Sequence, residues 1–110
     1  VPIDVTLMIQ PASGVDALAA VSLEQNYPNP FNPITAIAFT VPQPGRVVLR
    51  VHDLAGRVVT TLVDETLRAK RHEAAWDGTD DAGHRVASGV YYYVLEIGSE
   101  RQVRKMVMLK

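Results

Sequence analysis

The stretch from Leu23 to Pro33, here called the strap, constrains the fold more than any other because it holds three prolines within six residues. Each proline fixes φ and removes a backbone donor, so neither a helix nor a central strand runs through the strap. The residue before each proline is restricted to extended geometry, which predicts a stiff, extended segment. The two Asn-Pro pairs favour the start of a turn.

We interpret the strap as the entrance to a folded domain, because a flexible linker has no use for such stiffening. Its aromatic side chains, Tyr27 and Phe31, would each bury substantial area if the strap lies across a core. The entrance motif comprises Asn26, Tyr27, Pro28, Asn29, Pro30, Phe31, Asn32 and Pro33.

Composition limits the partners of the chain. Its 110 residues are 47% hydrophobic and 21% charged, which is typical of one globular domain with a real core. The net charge of −1 gives no excess of basic residues for binding nucleic acid. No apolar run approaches the ~20 residues that a membrane-spanning helix needs. We therefore expect no nucleic-acid partner and no membrane insertion. The absence of cysteine excludes a disulfide framework.

After the strap, most segments have the alternating pattern of a strand, the segment at 57–63 is an apolar, β-branched run, and turn-forming residues separate the segments. Six strands at regular spacing predict an all-β fold, an antiparallel β-sandwich. Trp76, Tyr91 and Tyr93 are expected in its core, whereas Tyr92 alternates to the other face. The predicted strands lie within residues 36–41, 47–52, 57–63, 72–77, 90–97 and 102–109.

The N-terminal residues carry one more strand pattern. Apolar residues alternate with mostly polar ones over the first ten positions, which indicates a half-buried strand. A lone strand is not stable in water, so it must pair with another. A short apolar run at 17–23 is interpreted as an extended linker. The apolar face of the first strand comprises Ile3, Val5, Leu7 and Ile9.

Enzymatic motifs are missing from the sequence. It has no Gly-x-Ser-x-Gly elbow, no phosphate-cradling glycine loop and no metal-binding His-Glu motif, and its three histidines lie in separate segments. The acidic run at 77–83 misses the spacing of a calcium loop and is interpreted as a polar turn. We therefore expect no catalytic residues, no metal site and no cofactor.

Five blocks of sequence resemble, in order, the type A C-terminal sorting domain of type IX secretion systems. They are Leu-Glu-Gln-Asn-Tyr-Pro-Asn-Pro-Phe-Asn-Pro (23–33), Val-His-Asp-Leu-Ala-Gly-Arg-Val-Val-Thr-Thr-Leu-Val (51–63), Trp-Asp-Gly-Thr-Asp-Asp-Ala-Gly (76–83), Ala-Ser-Gly-Val-Tyr-Tyr-Tyr (87–93) and Lys-Met-Val-Met-Leu-Lys (105–110). The last block is similar to the family's terminal Lys-Met-Val-x-Leu-Lys signature. The same blocks occur in the immunoglobulin-like domain of a flagellar hook-capping protein family. The resemblance implies an immunoglobulin-like sandwich of about seven strands, preceded here by an N-terminal extension strand.

The resemblance also implies a secretion address rather than an enzyme. In that family the domain follows a cargo protein and is read by an outer-membrane translocon, and a surface sorting peptidase then often removes it. The protein is accordingly expected outside a Gram-negative cell or on its surface. A C-terminal strand can be read by strand addition, with its side chains supplying specificity. The residues expected to be recognised are Lys105, Met106, Val107, Leu109 and Lys110.

Alternatives follow from the N-terminal strand, which a sorting domain does not need. We divide the chain into residues 1–22, a strand and linker, and residues 23–110, the sorting domain. The strand is either the end of an upstream domain or a donor that completes the sandwich of the next copy, giving an extracellular filament. A surface or carbohydrate-binding module is a third hypothesis, suggested by Tyr92 and the turn residues.

Overall fold

The computed structural model describes residues 20–109, and every regular element in that range is a β-strand. β3 alternates buried and outward residues, and turns containing glycine, proline or aspartate separate most strands, as the sequence predicts. Their bounds are β1 Ser22–Leu23, β2 Thr35–Val41, β3 Gly45–His52, β4 Val58–Leu67, β5 Lys70–Trp76, β6 Gly89–Ile97 and β7 Glu100–Met108.

Two antiparallel sheets form the domain, one ordered β1-β2-β5 and the other β4-β3-β6-β7. The prediction of an all-β immunoglobulin-like sandwich of about seven strands is confirmed. The expected N-terminal extension strand, with Ile3, Val5, Leu7 and Ile9, lies outside the described residues.

One strand boundary differs from the prediction. Residues 64–71 were expected to be a looser connection, but β4 continues to Leu67 and β5 begins at Lys70. Within residues 20–109, β4 is the last strand of its sheet and pairs with β3 only. Its charged residues Asp64 and Glu65 are exposed, and Asp64 pairs with Arg46.

The core lies between the inner faces of the two sheets. It includes an aromatic cluster in which the ring of Trp76 lies 5.5 Å from Phe31 and 5.4 Å from Tyr91, measured between centroids. The prediction that Trp76, Tyr91 and Tyr93 are core residues is confirmed. The other members of the buried cluster are Leu23, Ile37, Phe39, Val41, Val47, Leu49, Val51, Leu95, Met106 and Met108.

Two loops at the same end of the sandwich are built alike. Asp53 and Asp80 each begin an Asp-x-x-Gly sequence, and each carboxylate accepts hydrogen bonds from the backbone N–H groups two and four residues further on, at 2.9–3.0 Å. Both glycines have positive φ and donate to the carbonyl of the aspartate. The N–H and side chain of Arg57 also hold the pKa of the Asp53 carboxyl below its usual range. The turn interpretation of the acidic run is thereby confirmed.

Gly78 is the glycine on which the packing of this end depends, because a Cβ there would stand 2.8 Å from Sδ of the buried Met108. Gly83 has a similar positive φ but open space around it. Replacing either residue by alanine strains the backbone by about 1–2 kcal/mol. We expect Gly78→Ala to lower the free energy of unfolding by a further 1–3 kcal/mol or so, from overpacking of the core. Urea denaturation of both variants measures the difference, and equal losses would contradict this packing.

Candidate functional site: the strap and the C-terminal strand

The first part of the strap, residues 23–27, runs alongside β2. The Glu24 N–H donates to the Ala38 carbonyl at 2.9 Å, and Tyr27 and Ala36 exchange two backbone hydrogen bonds of the same length. This segment therefore extends the short pairing of β1 with β2 along the edge of the three-stranded sheet.

The strap then crosses to the other sheet and lies along the outer edge of β7. The Phe31 N–H donates to the Val107 carbonyl at 3.0 Å, and the Leu109 N–H donates to the Phe31 carbonyl at 2.9 Å. The side chain of Asn29 accepts from the Val107 N–H at 2.9 Å, and that of Gln25 donates to the Lys105 carbonyl at 2.8 Å. The strap therefore covers the edge of residues 105–109 that faces away from β6.

The first half of β7 is tied to the same N-terminal segment through side chains. Gln102 accepts a hydrogen bond from the Leu23 N–H and donates to the Val21 carbonyl, both at 3.0 Å. The Arg104 guanidinium donates to the Leu23 carbonyl. These contacts join the two sheets on the side where β1 and β7 are the edge strands.

A buried polar network fixes the strap where it changes sheets. The Asn26 side chain donates to the Thr35 hydroxyl at 3.0 Å and to the Pro28 carbonyl at 3.2 Å, and Thr35 donates to the same carbonyl. The Tyr93 hydroxyl accepts from the Asn26 N–H at 2.8 Å and donates to the Glu24 carbonyl at 2.7 Å. Burial raises the pKa of Tyr93, although the Asn26 N–H partly opposes that effect.

Two expectations about the strap are wrong. It is not extended throughout, because the chain bends at residues 28–30 and 32–33, where the Asn26 network closes a tight loop. Tyr27 is not buried but 81% exposed, because its backbone pairs with Ala36, an outward-facing position of β2. Phe31 is buried as expected, 2% exposed, against Trp76.

The residues predicted to be recognised are divided by the alternation of β7. Met106 is fully buried in the core beside Tyr91, so the surface of the folded domain does not offer it. Lys105 and Val107 face outward, and Leu109 follows the strand with half its surface exposed. Lys110 lies outside the described residues. The recognition set itself stays a prediction.

Sequence reasoning missed the neighbours of these residues on β6. On the outer face of the four-stranded sheet, Val107 lies opposite Val90, Lys105 opposite Tyr92, and Val103 opposite Val94. The available signal was β6 itself, whose residues 90–95 are apolar or aromatic without interruption, whereas a half-exposed antiparallel strand alternates. Tyr92 lies half-buried on this face, and its suggested carbohydrate role stays a prediction.

Groups of metal ligands and long apolar helices are both absent from residues 20–109. No three His, Asp or Glu side chains in it are grouped to hold a metal ion. Nor does this part include a helix of the length and hydrophobicity that a membrane crossing requires.

The sequence profile of the FlgD Ig-like domain family matches residues 33–100. The chain belongs to this family. The match runs from the last proline of the strap to the first residue of β7, so it covers β2 to β6 but none of the terminal motif at 105–110. No curated protein shows significant similarity to this FlgD-type Ig-like domain.

Solved structures share the fold of this Ig-like domain. Dimeric latent PorU from Porphyromonas gingivalis is 19% identical with a TM-score of 0.66, over 83% of this chain and 10% of that protein. PorZ of the same organism, a surface component of its type-IX secretion system, is 21% identical with a TM-score of 0.55, over 84% of this chain and 12% of that one. FlgD from Xanthomonas campestris, a hook-capping protein, is 22% identical with a TM-score of 0.56, over 86% of this chain and 70% of that protein. The domain thus spans about a tenth of the length of PorU and PorZ.

Asn29 provides a test of the strap's hold on β7. Asn29→Ala removes the acceptor of the Val107 N–H, and we expect a loss of about 0.5–1.5 kcal/mol in stability. Hydrogen exchange of the Val107 amide should accelerate roughly tenfold, while amides of β3 stay protected. Asn32→Ala, at an exposed position of the same strap, is the matched control and should change stability by less than about 0.5 kcal/mol. Unchanged exchange at Val107 in Asn29→Ala would show that the strap does not hold this edge.

Proposed function

We propose that this Ig-like domain is a non-enzymatic C-terminal sorting domain, which directs an exported protein through a type IX system to the cell surface. The observation that carries the proposal is the placement of the terminal motif. Lys105 and Val107 are displayed on the outer face of β7, whose core side chains and covered edge hold it in place, and the exposed Leu109 directly follows the strand. A signal displayed on a folded scaffold is pre-organised, which reduces the entropy cost of recognition.

Two further observations support the sorting role. The five sequence blocks resemble the type A sorting family, and the terminal block includes residues beyond the stretch shared with the FlgD family. The fold is also that of a domain in PorZ, a surface component of a type-IX secretion system. The partners proposed on this basis are an outer-membrane translocon and a surface sorting peptidase, and the location is the surface or exterior of a Gram-negative cell.

The mode of recognition follows from the strap. Strand addition to β7 over residues 105–109 would require the strap to leave, because its backbone and side chains already occupy that edge. We therefore infer that the translocon reads outward side chains and the chain end of the folded domain. Met106 contributes by packing, since its side chain lies in the core.

A fusion experiment tests the sorting role. The 110-residue chain is placed after a reporter protein with an export signal and produced in a bacterium with a type IX system. We expect the reporter at the cell surface or in the medium, and its retention in the periplasm of an isogenic strain without the translocon. Leu109→Ser with Lys110→Ser alters the residues that follow β7 but keeps Met106 and Met108, so retention of this variant is expected without a change in melting temperature. Retention of the wild-type fusion, or export in both strains, would overturn the proposal.

A filament subunit is the second candidate, and the sheet edges favour it. β4 and β5 end their sheets on the same side, joined by the short connection at residues 68–69, and within residues 20–109 each pairs with one strand only. Such an edge can accept a strand from a neighbour. The predicted donor is the strand with Ile3, Val5, Leu7 and Ile9, and residues 11–24 can span roughly 45 Å when extended.

Light scattering and negative-stain imaging of the full chain test this candidate. Assembly by donation should give concentration-dependent fibres, and deletion of residues 1–10 should leave monomers. A full chain that stays at about 12 kDa, or a truncated chain that still polymerises, would exclude donation by this strand.

A further inference from the structure

The outer face of β6 and β7 is unusually apolar for the solvent side of a two-layer sandwich. Val90, Tyr92, Val94, Val103 and Val107 form a continuous strip on this face, which we call the outer patch. Val103 is 45% exposed, Val90, Tyr92 and Val107 are half-buried, and Val94 is covered by its neighbours. Such strands normally place polar residues on their outer side, because only the inner face is covered. An apolar strip on an outer face is typical of an interaction surface.

A groove runs beside the outer patch. The loop between β3 and β4 forms its wall, with Leu54 68% exposed, and Val94, Tyr92 and Val103 form its floor. Its volume is about 380 Å³, within the range of pockets that bind ligand or side-chain groups. Arg101 and Asp53 line the same groove. The Asp53 carboxylate is paired with Arg57 and accepts hydrogen bonds from the backbone N–H groups of Ala55 and Arg57, so Arg101 is the cation that lies beside the apolar floor.

The charges around the outer patch favour an acidic occupant. Arg50, Arg101 and Lys105 face outward on β3 and β7, against the single carboxylate of Glu96 on β6. Glu96 lies between two of them, 3.6 Å from Arg50 and 3.7 Å from Arg101. Among the described residues Lys105 forms no ion pair. Complementary charge at the rim of an interface steers a partner and selects against wrong ones.

We propose that the outer patch is the docking surface for a protein segment of the export machinery that carries apolar side chains flanked by carboxylates. The inference rests on the proposed sorting function and names the surface that this function uses. A second copy of the chain fits less well, because two outer patches face to face would bring their basic groups together. The strap does not obstruct this face, whereas it does occupy the β7 edge.

Charge-introducing variants in the reporter fusion test the proposal. Val103→Asp places a carboxylate in the outer patch, and Lys105→Glu reverses the charge at its rim. Like charges set against each other cost several kcal/mol, so we expect each variant to lower surface delivery at least about tenfold. Ala75→Asp and Arg68→Glu are the matched controls at exposed positions of β5 and of the β4–β5 connection, and we expect delivery at the wild-type level.

Thermal melting of each 110-residue variant separates lost recognition from lost folding. Val103 is 45% exposed and Lys105 faces solvent, so both variants should melt within a few degrees of the wild-type chain. If Val103→Asp melts early, Val103→Ser tests the same contact without burying a charge, and its delivery should also fall.

The outcomes distinguish this inference from the function on which it rests. Normal delivery of folded Val103→Asp and Lys105→Glu, with loss for the Leu109/Lys110 variant, would overturn the outer patch and leave the sorting role intact. Retention of the wild-type fusion would overturn both. A wild-type dimer in light scattering that Val103→Asp dissociates would show a second copy as the occupant and overturn the acidic partner.

Discussion

The Tyr93 hydroxyl is the contact on which the arrangement of the two sheets at the strap depends. It lies on β6, in the four-stranded sheet, and bonds the backbone of Glu24 and Asn26, which run beside β2 in the other sheet. Its donor and acceptor capacities are both used inside the protein. Buried groups with satisfied hydrogen bonds specify one geometry, because any other leaves polar atoms unpaired. The strap is thereby fixed at the point from which it crosses to β7.

The position of the strap decides what the terminal strand can offer to a partner. An edge strand invites pairing with another chain, and proteins often cover such an edge with a loop. Here Asn29 and Phe31 cover β7 near its end, while Gln102 and Arg104 tie its first half to β1. A partner that binds the folded domain as proposed above would therefore contact outward side chains. A stable scaffold with a displayed, partly apolar surface is consistent with the sorting role proposed above.

Much of the fold was predictable because local pattern and global architecture agree. The alternation of Val47, Leu49 and Val51 places all three inward, and the aromatic residues Trp76 and Tyr93 are in the core as expected. The side-chain period of a strand allows this prediction without knowledge of the partner strand. Tyr27 was mispredicted because proline-rich segments have no such period. Its exposure depends on its pairing with Ala36, nine residues away.

The sequence by itself determined the strand pattern and the turns at Asp-x-x-Gly, because these follow from backbone preferences of neighbouring residues. Only the tertiary structure decided that Met106 lies in the core while Lys105 and Val107 lie outside, and that Val90 and Tyr92 stand beside them. Those relations depend on strand order and register, which here bring together residues 13 to 17 positions apart. Asn29 covers the β7 edge at Val107, 78 positions further along the chain. This contact depends on the buried network of Asn26 and Tyr93, which no local sequence pattern predicts.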